Sequence, residues 1–386
     1  MGGMEGNDHK EDKKQEGVIR VIHFVTGGGS GATRVALDLA LAQHRGPRFQ
    51  PYLILRSKGK PLPEVMQEQI DQAKLPVYWV ENLWPRFRSV RQLSALCATL
   101  QPTVFFAHGY SEHLWGRQAA LAKNIPIIIH VEHNLEHYLP WRLLSARRLS
   151  PYTHATVCVS KAVMERMQHL RVGGRRLLVV HNGVDLALFN GHTPLSQRRP
   201  DILMPARFAR QKDQPTLIRA AKRLVERGWT GQLLFAGGGK LRHRRYCERL
   251  VSAIGLRGRV DFLGQVDNLP QRLPDCRVVA LATWREGLPL VLIEAMAAGC
   301  AVVASAVGGV TDVVHSDNLN EENGWLFEPG NEIQAEEALW QALNNDTEAQ
   351  KRANRGQRDA HLSFSMNQMV EGYNNLIDSL LAVKQN

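Results

Sequence analysis

The amino-acid sequence predicts an α/β protein built from two doubly wound parallel-sheet domains in series. Its 386 residues, of which 44% are hydrophobic and 22% charged, exceed the usual size of one soluble domain. Apolar runs of strand length alternate with helical patterns, which is typical of parallel sheets. The alternation begins at Val18 and begins again at Asp201, after a polar stretch that contains a proline. Two such domains create a cleft between the carboxyl ends of their strands, where ligands bind.

Four segments follow from this pattern. Residues 1–16 are polar and lack the apolar core of a secretion signal, so we expect a disordered tail. We expect one Rossmann-like domain over 17–190, a second over 191–365, and an amphipathic helix over 366–386. In the first domain the pattern predicts one helix, over 32–43. It also predicts seven strands, over 18–25, 51–56, 76–80, 103–107, 126–131, 155–159 and 177–180. In the second domain it predicts three helices, over 214–228, 240–254 and 290–299. It also predicts five strands, over 201–206, 232–236, 259–263, 277–282 and 301–304.

The chain is basic, with a formal charge of +11, and most of the excess lies before residue 191. A basic face on the first domain could bind nucleic acid, a phosphorylated substrate or an anionic membrane, or it could simply be solvated. No apolar run reaches the ~18–20 residues that a membrane span needs. The five cysteines are odd in number and lack CxxC spacing, which favours a reducing compartment over a disulfide framework. We therefore expect a cytoplasmic protein, with the cytoplasmic face of the inner membrane as a candidate location.

The strongest motif pairs two carboxylates in the second domain. Glu286 precedes the predicted helix 290–299 and Glu294 lies within it, with Gly287 and Leu288 after the first glutamate. A carboxylate only accepts hydrogen bonds and so matches a vicinal diol, while a helix N-terminus favours a pyrophosphate. For the two glutamates alone, a surface residue and an ordinary amphipathic helix are the alternative. The continuing string up to residue 309 favours a ligand site.

A cationic pair follows the first strand of the second domain. Arg207 and Lys212 are five residues apart, and Arg210 between them is interpreted as a solvated neighbour. A leaving nucleoside diphosphate gains negative charge, and both side chains suit phosphate oxygens. Because no Asp-x-Asp stands beside a strand end, the sequence does not imply a bound divalent metal. We also expect no cofactor.

A glycine-rich loop over 27–31 follows the first strand of the chain. Gly28 and Gly29 let the backbone approach a ligand closely, with a helix N-terminus behind them for an anion. The loop lacks the GxGxxG spacing of a dinucleotide fold and the Lys-Ser or Lys-Thr of a P-loop. A plain tight turn is the alternative.

Histidines close two apolar strands of the first domain. His108 and His133 are candidates for the cleft, with a satisfied structural histidine as the alternative for His108. A zinc site from His130, His133 and His137 is conceivable, but 130 and 133 point to different faces of a strand.

The string 286–309, together with Arg207 and Lys212, closely resembles the donor-side signature of glycosyltransferase family 4. The resemblance spans about residues 18–375, tightly in the second half and loosely in the first. It implies the GT-B fold, in which two Rossmann-like domains face a cleft. The departures are Thr283-Trp-Arg285 before the first glutamate and Asp312 where a glutamate is common in the family.

The resemblance also implies roles for individual residues. Glu294 would bind the ribose hydroxyls of the donor, and Glu286 would lie beside the transferred sugar with His133. Arg207 and Lys212 would stabilise the leaving phosphates. Cleft positions are implied for His108 and Asn182, and donor contacts for Gly28, Gly29, Gly237, Gly239, Gly287, Leu288 and Val266.

The implied activity is retaining transfer of a hexose from a nucleotide diphosphate to a glycan or lipid-linked acceptor. A UDP-sugar is favoured as donor, with GDP-mannose as the alternative, and the basic first domain suggests surface polysaccharide or lipopolysaccharide synthesis. A nucleotide-sugar epimerase would share the fold without needing an acceptor. A non-catalytic protein that binds membrane or nucleic acid would explain the charge. We expect no nucleic-acid partner, because aromatic residues do not interleave with the main basic cluster, which consists of Arg142, Arg147, Arg148, Lys161, Arg166, Arg171, Arg175 and Arg176.

Overall fold

The computed structural model describes two parallel β-sheets with helices packed on their faces. The described residues are 17–59, 61–84, 86–110, 112–189, 193–266, 268–314 and 322–385, so the expected tail over 1–16 lies outside them. The predicted α/β architecture of two doubly wound parallel sheets is confirmed. None of the described helices is long and apolar enough to cross a membrane.

The first sheet has seven strands, all of them parallel to their neighbours, because helices return the chain to the same edge after almost every strand. Its strands are β1 (Ile19–Thr26), β2 (Phe49–Arg56), β3 (Val77–Val80), β4 (Val104–His108), β5 (Ile127–Glu132), β6 (Ala155–Cys158) and β7 (Leu177–Val179). The connecting helices are α1 (Gly31–His44), α2 (Glu64–Ala73), α3 (Phe87–Leu100), α4 (Glu112–Ala122), α5 (Pro140–Leu149) and α6 (Lys161–Leu170).

The second sheet has six parallel strands and restarts the same alternation. Its strands are β8 (Arg199–Pro205), β9 (Leu233–Ala236), β10 (Val260–Gly264), β11 (Cys276–Leu281), β12 (Ala301–Ser305) and β13 (Trp325–Phe327). The helices are α7 (Gln214–Glu226), α8 (Leu241–Ala253), α9 (Leu269–Arg272), α10 (Leu290–Ala297), α11 (Glu332–Asn344), α12 (Asp346–Ser363) and α13 (Met366–Gln385). The pattern analysis missed β13, which has only three residues and pairs at the sheet edge.

Strand order places a reversal beside the first strand of each sheet. The first sheet runs β3-β2-β1-β4-β5-β6-β7, and the second runs β10-β9-β8-β11-β12-β13. The strands that follow β1 are added towards one edge of the first sheet, and the strands from β4 onwards are added towards the other edge. The second sheet has the same reversal between β8 and β11. Loops that leave such strands in opposite directions open a crevice at their carboxyl ends.

The chain crosses between the sheets twice, and the two crossings lie side by side. The amide of Val184 donates to the carbonyl of Phe364 at 2.9 Å, and the amide of Met366 donates back to Val184 at 2.9 Å. A Cβ on Gly183 would overlap the carbonyl oxygen of Ser365, so the close approach requires glycine. After this pairing, α13 packs on the first sheet.

The contact between α13 and the first sheet is an apolar cluster with its own buried residues. Tyr373 and Ile377 are fully buried, and the Tyr373 ring meets Phe106 of β4 edge-on with centroids 5.7 Å apart. The hydroxyl of Tyr373 is buried and has no hydrogen-bond partner among the described residues. The helix is thus held mainly by apolar burial.

We predict that Tyr373→Phe leaves the melting temperature unchanged or raises it, because the change removes a buried hydroxyl without a partner. Tyr373→Ala should lower the free energy of unfolding by about 3–5 kcal/mol, as for other large aromatic deletions. Thermal and denaturant unfolding followed by circular dichroism measure both. A clear loss of stability in Tyr373→Phe would show that the hydroxyl is satisfied and would contradict this account.

Candidate functional site

The carboxyl ends of the two sheets face each other across a cavity of about 530 Å³. Loops from both switch points line it, so the topology alone brings distant parts of the chain together. Predicted site residues from both domains meet here, namely Gly29, His108, His133, Asn182, Arg207, Lys212, Glu286 and Leu288. The cavity is within the size range of small-molecule sites.

The first domain contributes the N-terminus of α1. Ser30 caps this helix by accepting from the amide of Thr33 at 3.1 Å. Gly28 has φ +94°, and a Cβ on Gly29 would meet the ring of Pro63 at 2.8 Å, so the tight loop before the cap requires glycine at both positions. The free amides and the helix dipole make this end of the cavity favourable for an anion.

The second domain contributes Lys212 and Glu286, which form a largely buried ion pair. The hydroxyl of Thr283 also donates to the Glu286 carboxylate, at 2.8 Å. The two loops are joined by backbone bonds as well, since the amide of Trp284 donates to the carbonyl of Gln211 at 2.9 Å. One loop follows β8 and the other follows β11, so the switch point places the cation against the carboxylate.

The two domains touch backbone to backbone at one edge of the cavity. A Cβ on Gly287 would overlap the carbonyl oxygen of His133, and a Cβ on Gly309 would overlap the carbonyl of Gly287. Nearby, Asp312 accepts from the amide of Lys161 at the start of α6. Glycine at 287 is therefore a packing requirement of the interdomain contact, and glycine at 309 is a requirement of the loop contact behind it within the second domain.

Glu294 lies on α10 and faces α1 of the other domain. Burial raises the pKa of the Glu294 carboxyl to about 7, and Arg34 on α1 opposes that rise. Arg34 itself pairs with Asp38 one helical turn later, at 2.8 Å. The N-terminal residues of α10, from Leu290 on, line the cavity.

The remaining predicted donor residues do not line the cavity itself. Gly237 and Gly239 follow β9, and Cβ atoms on them would overlap the backbone of Ala206 and Phe208 at 2.5 Å. Val266 follows β10 and is half-buried against the core. Gly28, Gly287 and Glu294 also lie outside the lining, although Gly28 and Gly287 are each next in sequence to a lining residue.

Two buried hydrogen-bond networks converge on His133. On its backbone side, one carboxylate oxygen of Glu132 accepts from the amides of His133 and Asn134, at 3.1 and 3.3 Å. The other oxygen accepts from the Tyr138 hydroxyl at 3.1 Å. On its side-chain side, the ring Nε2 is 3.2 Å from Nδ1 of His108.

The network behind Glu132 is anchored by a buried arginine. Arg117 is 1% exposed and donates to Nδ1 of His113 at 2.7 Å, which leaves Nε2 of His113 facing the Tyr138 hydroxyl at 3.0 Å. Burial raises the pKa of Glu132 to about 7 despite three hydrogen bonds that favour its ionised form. His130, also buried, lies 3.6 Å from the Glu132 carboxylate.

Several cavity residues were missed by the sequence analysis. Five residues line the cavity although no motif marked them, namely Lys58, Tyr110, Glu132, Glu136 and Gln211. The usable signal was position, because Tyr110 and Glu132 stand at the ends of β4 and β5. Among the described residues no group of three or more His, Cys, Asp or Glu side chains could hold a metal ion, and His130, His133 and His137 form no such group.

The fold and the cleft define a two-domain GT-B protein. The chain belongs to the glycosyltransferases: the model of glycosyl transferases group 1 matches residues 190–359, and that of Glycosyltransferase Family 4 matches residues 29–188. The resemblance drawn from the 286–309 string is confirmed, and so is the prediction of an enzyme that transfers a glycosyl group.

Known proteins similar to the chain include sequence relatives and solved structures. An uncharacterised glycosyltransferase of Methanocaldococcus jannaschii is 37% identical over 129 residues, which are 33% of this chain and 31% of the relative. The UDP-Gal:alpha-D-GlcNAc-diphosphoundecaprenol alpha-1,3-galactosyltransferase of Escherichia coli is 24% identical over 78% of this chain and 81% of its own. The Anabaena HepE structure in complex with UDP has a TM-score of 0.79 at 19% identity, over 94% of this chain and all of that one.

We predict that Glu132 makes stability fall as pH rises. A carboxyl whose pKa is raised when folded holds its proton more tightly than in the unfolded chain, so its contribution is greatest below about 4.5 and declines towards pH 7. Relative to Glu132→Gln, wild type should lose about 2–3 kcal/mol between pH 5 and pH 8. Denaturant unfolding at several pH values measures the difference.

The control is Glu328→Gln, which changes an exposed glutamate of the second domain. Its difference from wild type should show no comparable slope. A Glu132→Gln variant that runs parallel to wild type over the whole range would mean that Glu132 is ionised in the folded protein at all these pH values.

Proposed function

We propose that this glycosyltransferase moves a hexose, with retention, from a nucleotide diphosphate donor to a hydroxyl of a glycan or lipid-linked acceptor. The observation that carries the proposal is the cavity itself. It is lined by two helix N-termini, by Arg207 and Lys212, and by histidine and carboxylate side chains. Helix N-termini and fixed cations favour a pyrophosphate, and the carboxylates and imidazoles suit sugar hydroxyls.

The donor sits, in this proposal, with its pyrophosphate between Arg207, Lys212 and the N-termini of α1 and α10. Glu294 accepts from the ribose hydroxyls, and Glu286 and His133 contact the transferred sugar. The glycines at 28, 29, 237, 239 and 287 keep the backbone close enough to the donor, with Leu288 and Val266 beside it. His108 and Asn182 complete the cleft, and the amide oxygen of Asn182 is buried without a partner among the described residues.

In the chemical step the acceptor oxygen forms a bond to the anomeric carbon while the bond to the donor phosphate breaks. The electron pair of the broken bond stays on the phosphate oxygen, which takes up the proton of the acceptor hydroxyl. Arg207 and Lys212 stabilise the developing charge, a role in which fixed donors are worth about 3–4 kcal/mol each. Attack from the face that the phosphate leaves gives retention, an assignment that rests on the family resemblance.

UDP is the favoured nucleotide. HepE of Anabaena was solved with UDP and with UDP-glucose, and the Escherichia coli relative is named for UDP-Gal as donor. GDP-mannose is the alternative donor. The chain spans 31% and 60% of the lengths of the first two relatives that it matches, so the substrate assignment is a proposal for this protein.

We predict that Arg207→Ala and Lys212→Ala each lower turnover at least about 100-fold, because each removes a fixed cation from the leaving phosphate. In excess EDTA, UDP should raise the melting temperature of wild type more than GDP or ADP does, and both variants should reduce that rise. Saturating ligand at 100 times its dissociation constant stabilises a folded protein by about 2.7 kcal/mol. Release of UDP from UDP-glucose, with water as acceptor, measures turnover without a known acceptor.

Arg210→Ala is the matched control, since Arg210 is exposed in the same loop and does not line the cavity. It should keep both the thermal shift and the turnover. Near-normal turnover in both Arg207→Ala and Lys212→Ala would contradict the mechanism. A thermal shift that appears only with added divalent metal would contradict donor binding by fixed cations.

The acceptor side of the proposal rests on a surface of the first domain that we call the aromatic–basic surface. Its apolar members are well exposed and stand on or beside the starts of α3 and α5, among arginines: Trp84, Phe87, Trp141 and Leu144, with Arg86, Arg88, Arg142, Arg147 and Arg148. The Arg142 guanidinium lies 4.8 Å from the ring of Tyr110, which lines the cavity. The surface is therefore continuous with the cleft.

Exposed tryptophans among arginines suit the interface of an anionic membrane. The Escherichia coli relative is named for a diphosphoundecaprenol acceptor. We therefore propose that this surface rests on the cytoplasmic face of the inner membrane and presents the cleft to a lipid-linked acceptor of surface polysaccharide or lipopolysaccharide synthesis.

We predict that Arg88→Ala combined with Arg148→Ala weakens binding to anionic vesicles about 30-fold, since each surface charge is worth about 1 kcal/mol near such a membrane. Flotation with phosphatidylglycerol vesicles at low salt measures binding, and wild type should not bind pure phosphatidylcholine vesicles. The control double variant, Arg242→Ala with Arg245→Ala, removes the same charge from exposed positions on α8. Equal losses in both double variants would reduce the effect to net charge.

A further inference from the structure

Three buried histidines form a continuous chain from the cavity through the first sheet. Nε2 of His133 is 3.2 Å from Nδ1 of His108, and Nε2 of His108 is 3.1 Å from Nδ1 of His23 on β1. His23 and His108 are completely buried, and His133 is 7% exposed. The sequence analysis singled out His108 and His133, but nothing in the pattern linked either to His23.

The chain does not stop at His23. Nε2 of His23 is 3.0 Å from the side-chain oxygen of Gln43 on α1, and the Gln43 amide nitrogen donates to the side-chain oxygen of Asn374 on α13 at 3.2 Å. Asn374 lies in a groove between α1 and α13 and is partly exposed there. The five side chains thus join the cavity to an opposite surface of the domain.

The amide at one end decides the tautomer of every ring. An amide oxygen only accepts, so His23 must donate from Nε2. Burial lowers the pKa of His23 to about 4 and of His133 to about 3, and holds that of His108 well below its ordinary value, so all three rings are neutral. A neutral ring with hydrogen on Nε2 accepts at Nδ1, so Nδ1 of His23 accepts from Nε2 of His108. For the same reason Nδ1 of His108 accepts from Nε2 of His133, and all three rings have the same tautomer.

The last ring nitrogen of the chain is unused. Nδ1 of His133 is buried and has no hydrogen-bond partner among the described residues. His133 lines the cavity, and a buried acceptor left unpaired is costly, so a ligand hydroxyl that donates to it gains the whole bond.

We propose that Asn374, Gln43, His23 and His108 are positioning residues, which hold His133 in the Nε2–H tautomer so that its Nδ1 accepts a hydroxyl of the donor sugar. This inference rests on the proposed function of the cavity. The orientation is reversible in principle, because turning the Gln43 amide over would exchange donor and acceptor along the whole chain. The Asn374 oxygen that faces the Gln43 nitrogen favours the observed orientation, and an aspartate at 374, which presents only oxygens, would fix it.

The test substitutes Asn374, which stands at the end of the hydrogen-bonded series farthest from the cavity and does not contact the ligand site. Asn374→Asp keeps an oxygen that accepts from Gln43. Asn374→Lys replaces it with a donor, so the Gln43 amide turns over and Nδ1 of His133 acquires the hydrogen. Asn375→Lys is the matched control, because it adds the same charge at the next, exposed position of α13.

The first measurement is ¹⁵N NMR of protein labelled at histidine, with the His133 signals assigned by their loss in His133→Ala. Wild type, Asn374→Asp and Asn375→Lys should show His133 with hydrogen on Nε2 and a bare Nδ1. Asn374→Lys should show hydrogen on Nδ1 or exchange between the two forms. An unchanged His133 tautomer in Asn374→Lys would overturn the proposal, whether or not the enzyme is active.

The second measurement is turnover with the nucleotide sugar. Asn374→Lys should lower kcat/KM about tenfold, the value of one hydrogen bond, while Asn374→Asp and Asn375→Lys stay near wild type. In a His133→Ala background, Asn374→Lys should cost nothing further. A tautomer change without a kinetic effect would overturn the contact between His133 and the sugar but would leave the donor site intact. Failure of the proposed function would be seen separately, as an absence of nucleotide binding in wild type.

Discussion

In both sheets the chain reverses its direction of winding beside the first strand, and the cavity owes its composition to these two reversals. Loops after β1 and β4 separate at one point, and loops after β8 and β11 separate at the other. The glycine loop, His108, the cationic pair and Glu286 all stand in those loops or at the strand ends beside them. Residues that are far apart in sequence therefore become neighbours without any special contact to draw them together.

Much of the fold and part of the site could be predicted from the sequence. Period and strand length located most strands, and chemistry at strand ends located Lys212 and Glu286, because parallel strands share one edge. The partners behind His133 could not be predicted in this way. The pairs His23–His108 and Glu132–Tyr138 depend on side-chain direction and on packing between elements, which a one-dimensional pattern does not contain. Gly287 was noted as part of a motif, yet its physical role, a backbone contact with His133 of the other domain, appears only in three dimensions.

His133 is held by two networks of opposite character. The Glu132 network fixes its backbone through a carboxylate whose burial opposes ionisation, and it is anchored by a buried arginine. The imidazole chain contains no charged group in its ordinary state and sets only the ring's donor and acceptor ends. Position and hydrogen-bond polarity are thereby controlled by different residues.

The paired crossings near Val184 and Ser365 bear on how the two halves of the molecule are held together. Because the chain returns to the first sheet before it ends, α13 belongs by packing to the domain that begins at β1 and by sequence to the end of the other. A single proteolytic cut between Asp185 and Phe189 would leave the fragments attached through twenty residues of helix. Expressing the first 190 residues alone would instead expose the apolar face of the first sheet that α13 covers. The protein is thus a pair of interlocked pieces, and neither piece is a natural unit for truncation or fusion.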